Sequence, residues 1–222
     1  MSRFFNLIPH HPIVGTCVTL LLAINGSAAL AADGNGALYD AQAPADAAFI
    51  RVLNLDNTAA DVLVSGKSAS QKISAGQLGG YLFVDAGAHQ VTVNSATTQL
   101  DVGKSSAKTL IFNHNGLTSL DDTYSDDSKK ALVAFYNLTQ QPLTLKTLDG
   151  KHAIVADIGP MSNGARKVNE LKIAFAAYQG DQQIAVFDET FLKKGRSYSF
   201  LAIETQGQVK ALSVANSVDS IE

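Results

Sequence analysis

The sequence predicts an all-β protein: two tandem β-sandwich domains of similar fold, following a cleaved signal peptide. Three observations predict it. The chain repeats itself, with Ala48-Phe49-Ile50-Arg51-Val52-Leu53-Asn54-Leu55 returning as Ala131-Leu132-Val133-Ala134-Phe135-Tyr136-Asn137-Leu138. From Phe49 onward, apolar and polar residues alternate with the periodicity of a strand. Beyond the N-terminus no segment carries a sustained apolar stripe at helical spacing. A repeat of roughly 80 to 90 residues is too long for a solenoid unit and suits a whole small domain.

The N-terminus is read as a targeting segment rather than as part of the fold. Arg3 supplies a short basic region, Ile13 to Ile24 an apolar run, and Ala29-Leu30-Ala31 a small-x-small cleavage site. Residues 1–31 are therefore expected to be a cleaved signal peptide that directs export, with the mature chain starting at Ala32. Cys17 lies inside the apolar run behind Thr16, which does not suit a lipoprotein cysteine. Cleavage removes this single cysteine, so the mature domains must be held by apolar cores without disulfides. Residues 32–47, rich in Ala, Gly and Asp and containing Pro44, read as an extended leader.

The first sandwich is assigned to residues 48–120. Phe49, Arg51 and Leu53 face one way, and Ile50, Val52 and Asn54 the other. Val62 and Val64, then Val91 and Val93, continue the alternation between turn residues Asn57, Gly66, Gly87 and Asn94. Short β-branched runs spaced by such turns indicate a sandwich. Residues 121–130 are charged, polar and nearly free of apolar side chains, and read as the interdomain linker. The second sandwich is assigned to 131–222. It has a run from Leu143 to Thr147, a turn at Asp149-Gly150, and a run from Ile154 to Ile158. Asp-Gly between alternating runs is a strong hairpin signal, because both residues tolerate positive φ. Leu171 to Phe175 is the expected counterpart of His89 to Val93, and Gly195 to Ile203 that of Gly103 to Phe112.

Formal net charge is −3. Loss of Arg3 takes it to −4, since every Asp and Glu follows the cut. Only Arg51, Arg166 and Arg196 remain as arginines, so the chain lacks the basic footprint of a nucleic-acid binder, and no nucleic-acid partner is expected.

Catalytic motifs do not assemble. Asp149-Gly150-Lys151-His152 matches the Asp-x-x-His pair of SGNH-type esterases and acetyltransferases, but the Gly-Asp-Ser nucleophile block of that class is absent; Gly180-Asp181 is followed by Gln182. A hairpin turn accounts for Asp149 and Gly150. Gly103-Lys104-Ser105 resembles the end of a phosphate loop, yet Thr98 stands where the first glycine belongs and no helix is expected after it. No Gly-x-Ser-x-Gly elbow occurs. His89, His114 and His152 are scattered without a second ligand at metal spacing. Asp121-Asp122 with Asp126-Asp127 reads as a solvated linker rather than a calcium site. No catalytic, cofactor-binding or metal-binding residue is assigned, and no cofactor is expected.

Six tyrosines, Tyr39, Tyr81, Tyr124, Tyr136, Tyr178 and Tyr198, offer stacking faces for a sugar. Tyr136, Tyr178 and Tyr198 lie in apolar strand runs, where an aromatic more often belongs to the core. Arg51 is read as a surface residue whose stem covers apolar area, in preference to a ligand for a uronate carboxylate.

Several segments resemble the periplasmic alginate O-acetylation protein F (AlgF) family. They are Leu38-Tyr39, Ala43-Pro44 and Ala48 to Asn54 near the mature start, then Leu143 to Lys151 and Arg166 to Tyr178 in the second half. The resemblance spans most of the mature chain and includes the secretion signal. It implies a periplasmic, non-catalytic adaptor required for O-acetylation of an exported exopolysaccharide, most simply alginate, with no catalytic residue to carry over. The implied partners are periplasmic SGNH-type acetyltransferases and a membrane acyl-transfer protein, with the polysaccharide itself as a further candidate. The alternatives are the equivalent component of a cellulose-acetylation system, or a polysaccharide-binding module. The acidic net charge disfavours the latter for a polyanionic polymer.

Overall fold

The computed structural model describes Pro44 and residues 46–219, which fall within one compact unit. The expected signal peptide, Cys17, Tyr39 and nearly all of the expected leader lie outside the described residues. The described residues contain eighteen strands and no helix.

The first eight strands are β1 (Ala48–Asn54), β2 (Ala60–Val64), β3 (Gln71–Ile73), β4 (Leu82–Val84), β5 (Gly87–Val93), β6 (Ala96–Val102), β7 (Ala107–Asn113) and β8 (Gly116–Asp122). They form two sheets, β4-β1-β7-β8 and β3-β2-β5-β6. The remaining ten are β9 (Ala131–Leu138), β10 (Leu143–Thr147), β11 (Ala153–Ile158), β12 (Ser162–Val168), β13 (Leu171–Ile173), β14 (Phe175–Gln179), β15 (Gln182–Val186), β16 (Thr190–Leu192), β17 (Ser197–Thr205) and β18 (Gln208–Ala215). They form β12-β9-β17-β18, β11-β10-β14-β15 and the ribbon β13-β16. Apart from that ribbon, the second set repeats the first strand for strand.

The repeat extends to side-chain chemistry. Asn54 donates from Nδ2 to the carbonyls of Thr58 and Ile73 and accepts the amide of Asp56. Asn137 donates to the carbonyls of Gln141 and Ile158 and accepts the amide of Thr139. Both asparagines are fully buried and close the same strand-to-strand connection. One expected correspondence is corrected. Leu171 to Ile173 is a separate ribbon strand, and β14, starting at Phe175, is the strand that pairs with β10 as β5 pairs with β2.

In each copy the first strand pairs in parallel with the next-to-last of its set, β1 with β7 and β9 with β17. Parallel strands in the middle of a sheet are usually covered on both faces. Here Ala48, Ile50 and Val52 point into the first core, with Val62, Val91, Val93 and Leu110. Ala131, Val133 and Phe135 point into the second, where Phe175, Phe187 and Phe200 pack edge to face at 5.0 and 5.4 Å between centroids. The alternate residues meet across a third apolar layer. Leu53, Leu78 and Ile111 from the first half pack with Ala134, Tyr136, Leu138, Leu201 and Ile203 from the second. The sheets therefore stack in four layers, with this seam between the two sandwiches.

Two features tie the halves further. Asp121 and Asp122, expected in the linker, are the last residues of β8, paired with Lys108 and Ala107 on β7. After β18 the chain runs back over the first sandwich. Tyr81 N donates to Ser217 O at 2.9 Å, Asp219 N donates to Tyr81 O at 2.8 Å, and Gln71 Nε2 donates to the Asp219 carboxylate. Gly80 permits this approach, because a Cβ there would overlap the Asp219 and Ser217 side chains.

Candidate functional site

The densest chemistry in the described residues is a polar cluster set into the seam. β1 directs Arg51 to the same side as Leu53, so a guanidinium enters an otherwise apolar layer. Arg51 is 2% exposed. Its Nε donates to Thr109 Oγ1 at 2.9 Å, its Nη1 to Asn216 Oδ1 at 2.8 Å, and its Nη2 to the Tyr136 hydroxyl at 2.7 Å and Ser199 Oγ at 3.0 Å. The guanidinium also lies over the Tyr81 ring, 4.2 Å from its centroid. Every face of the charge has a partner, as a buried charge requires.

Asp122 supplies the counter-charge. Its side chain is 2% exposed and stands 4.0 Å from Arg51 Nε. It accepts from Thr109 at 2.6 Å, Tyr136 at 2.7 Å and Tyr81 at 2.8 Å. The two ions are thus joined chiefly through the hydroxyls of Thr109 and Tyr136. Burial works against the charge on Arg51, but Tyr136, Tyr81 and Asp122 outweigh it and hold the proton more firmly than usual. Burial first, then the nearby carboxylate, pushes the Tyr136 phenol up to about 12 and the Tyr81 phenol well above its ordinary value, although Arg51 opposes both shifts. At neutral pH both phenols are donors and the site is electrically closed.

The cluster corrects the expectation for Arg51. The residue is neither on the surface nor placed to meet a ligand's carboxylate; its charge is consumed by Asp122 and the seam hydroxyls. Ser199, the fully buried serine of the group, donates to Asn216, and no histidine ring is among its partners in the described residues. Beside the cluster opens a cleft of about 170 Å³ lined by Phe49, Tyr81, Tyr124, Tyr136, Asn216 and neighbours. Tyr124 is 41% exposed and stacks on Phe49 with centroids 5.6 Å apart.

The other candidates are dispersed. Tyr136, Tyr178 and Tyr198 are buried in strands, as their setting implies. Asp149 caps the β10–β11 turn. It accepts from Thr147 Oγ1 at 2.6 Å and from the Lys151 amide, and these bonds lower its pKa. Gly150 adopts the φ of +73° that the hairpin needs. His152 is exposed in the turn just before β11, and its amide donates to Thr147 Oγ1 at 3.2 Å. His89 contacts the carbonyls of Asp85, four residues before it, and of Ser65, in the turn after β2. Gly103-Lys104-Ser105 is a turn between β6 and β7, with Lys104 against Asp46. Of the four linker aspartates, Asp121 meets Lys108, Asp122 joins the seam and Asp127 meets Lys167.

Fold and cluster together define a tandem double β-sandwich whose most elaborate polar chemistry joins its own halves. A family model described as alginate O-acetyl transferase AlgF matches residues 19–199. The chain belongs to the AlgF family. The alginate biosynthesis protein AlgF of Pseudomonas aeruginosa is 33% identical over 172 residues, covering 77% of this chain and 79% of the relative. That of Azotobacter vinelandii is 29% identical over 201 residues, covering 90% and 92%. A solved structure of the C-terminal domain of AlgF from P. aeruginosa is 33% identical and covers 40% of this chain and 99% of that domain, with a TM-score of 0.37.

Proposed function

We propose that this protein is a non-catalytic periplasmic adaptor required for the O-acetylation of exported alginate. The observation that carries the reading is the family match over residues 19–199. The relatives are named alginate biosynthesis proteins, which favours alginate over cellulose as the polymer. The adaptor role is supported by the absence of a Gly-Asp-Ser nucleophile block from the sequence, and by a polar cluster whose groups are spent on one another. The periplasmic location rests on the expected signal peptide. Among the described residues no helix is long and apolar enough to cross a membrane.

An adaptor raises the local concentration of donor and acceptor enzymes around one another. Its partners under this reading are periplasmic SGNH-type acetyltransferases and a membrane acyl-transfer protein. The test is deletion of the gene. Acetyl groups should disappear from the polymer while the chain is still made and exported, and the purified protein should transfer no acetyl group to alginate by itself. Acetyl transfer by the purified protein alone, or loss of the polymer itself, would sink this account.

A further inference from the structure

An open groove of about 550 Å³ in the second sandwich is lined by Lys130, Lys151, His152, Arg166, Lys167 and Asn169, with short apolar stretches of β11 and β12 between them. No carboxylate lines it, although the chain as a whole is acidic. Net charge averages over faces, and what a partner meets is the local field. Two aspartates touch the groove's cations from outside: Asp149 lies 3.5 Å from Lys151 and Asp127 lies 3.4 Å from Lys167. Lys151 is 75% exposed and Lys167 47%, so these contacts are screened by water. Arg166 is held in place by one bond to the Ala153 carbonyl, which leaves other guanidinium donors for a carboxylate.

The groove also lies where two sheets end. β11 and β12 are edge strands, each with a ladder on one side only. The first sandwich shows what such an edge receives. Its matching edge strand, β4, is preceded by Tyr81, which pairs with the extended residues Ser217 to Asp219 in a parallel bridge. That segment's carboxylate, on Asp219, is held by Gln71 of the matching strand β3. In the second sandwich the residues in register with Leu82 and Phe83 are Arg166 and Lys167, judged by their pairing with β1 and β9. No segment forms a ladder with the outer side of β12 among the described residues.

We infer that this groove is a docking site for an extended, acidic segment of a partner protein, bound along the β11 and β12 edges with its carboxylates on Lys151, Arg166 and Lys167. Edge addition supplies main-chain hydrogen bonds and the cations supply selectivity for acidic sequence. The inference rests on the adaptor reading and gives it a surface.

The test uses the mature protein and the purified periplasmic acetyltransferase of the same system, with binding measured by calorimetry at two salt concentrations. The triple variant Lys151→Glu, Arg166→Glu, Lys167→Glu should weaken binding about tenfold or more, and salt should weaken the wild type similarly. Reversal of Lys72 and Lys210, exposed elsewhere, should change little. If the triple variant melts early, Lys151→Gln with Lys167→Gln replaces it and should still lower the affinity. Undiminished binding by the groove variants overturns the inference and leaves the adaptor reading standing. A wild type that binds no acetyltransferase overturns both. Groove amide signals that respond to mannuronate oligosaccharides and not to the acetyltransferase, or self-association abolished by the triple variant, assign the groove to polymer or to a second copy and overturn it as well.

Discussion

Asp122 and Arg51 sit 4.0 Å apart in the seam between the sandwiches, and the hydroxyls of Thr109 and Tyr136 bridge them. Both charges are almost wholly withdrawn from water, so each depends on the other and on the same hydroxyls. Removing one partner of such a pair is costly because the other is left buried and uncompensated. Arg51→Met should cost about 3–5 kcal/mol in urea unfolding of the protein, and Asp122→Asn a comparable amount. The double variant should cost less than the sum of the two, since neither charge is then stranded. An Arg51→Met cost below about 1 kcal/mol would mean that water reaches the pair.

The same cluster makes the fold sensitive to alkali. Burial pushes the Tyr136 phenol up to about 12, against about 10 in an unfolded chain, and Tyr81 moves in the same direction. A group whose folded pKa is raised contributes stability that is complete below its unfolded pKa and is lost as pH rises through the folded one. Stability should therefore hold up to about pH 10 and then fall, with Tyr136 alone accounting for a loss on the order of 2 kcal/mol by pH 12. Tyr136→Phe should be less stable at neutral pH, by about 1–2 kcal/mol for the lost hydrogen bonds, with a shallower alkaline decline. Urea midpoints followed from about pH 8 to about pH 11.5 decide this; an unchanged slope in the variant assigns the titration elsewhere.

Much of the fold was legible because a strand's periodicity reports its faces. The two halves were visible as a repeat, and Asn54 and Asn137 fell in register because both perform the same buried closure. The seam was not legible from alternation, which assigns residues to faces without saying what covers the outer one. Arg51 alternates with Ile50 and Val52 and so resembles a solvent-facing residue. The available signal was the uninterrupted run Ala131 to Leu138, every residue of which is buried. Such a run marks a strand covered on both sides, and the repeat then assigns the same environment to β1 and Arg51. Asp121 and Asp122 merged with the linker because charge is the usual mark of a solvated segment. Only its partners Arg51, Thr109, Tyr136 and Tyr81 reveal the Asp122 side chain as buried.

The two asparagines offer a test of the repeat in energetic form. Asn54 and Asn137 each donate two side-chain hydrogen bonds to main-chain carbonyls and accept one from a main-chain amide. Replacement by alanine leaves those groups without partners in a buried setting. Asn54→Ala and Asn137→Ala should each cost about 2–4 kcal/mol. Asn137→Ala should be the worse of the two, because it also releases the Thr139 hydroxyl, 2.7 Å from Asn137 Oδ1. Asp at either position should be no rescue, since a carboxylate cannot donate to the two carbonyls. Thermal melts of the two alanine variants make the comparison, and a negligible loss in either would show that its connection is closed by other bonds.

Residues 123–130 join the sandwiches, and Thr123, Tyr124, Asp126, Ser128 and Lys129 among them are exposed. A protease should cut there early, for instance trypsin at Lys129. The halves should nevertheless stay together after the cut. Leu53 and Ile111 on one side meet Leu201 and Ile203 on the other, Arg51 reaches Tyr136 and Ser199, and the segment from Asn216 to Asp219 clasps Tyr81 and Gln71. Burial of such side chains is worth about 1.5–3 kcal/mol each, enough in combination for a noncovalent complex to persist. The nicked protein should elute from a sizing column as the intact one does, and separate only when denaturant is added. Leu201→Ala should cost about 2–5 kcal/mol and let the nicked halves part at lower denaturant. Fragments that separate in plain buffer would show instead that the covalent joint, and not the seam, keeps the sandwiches side by side.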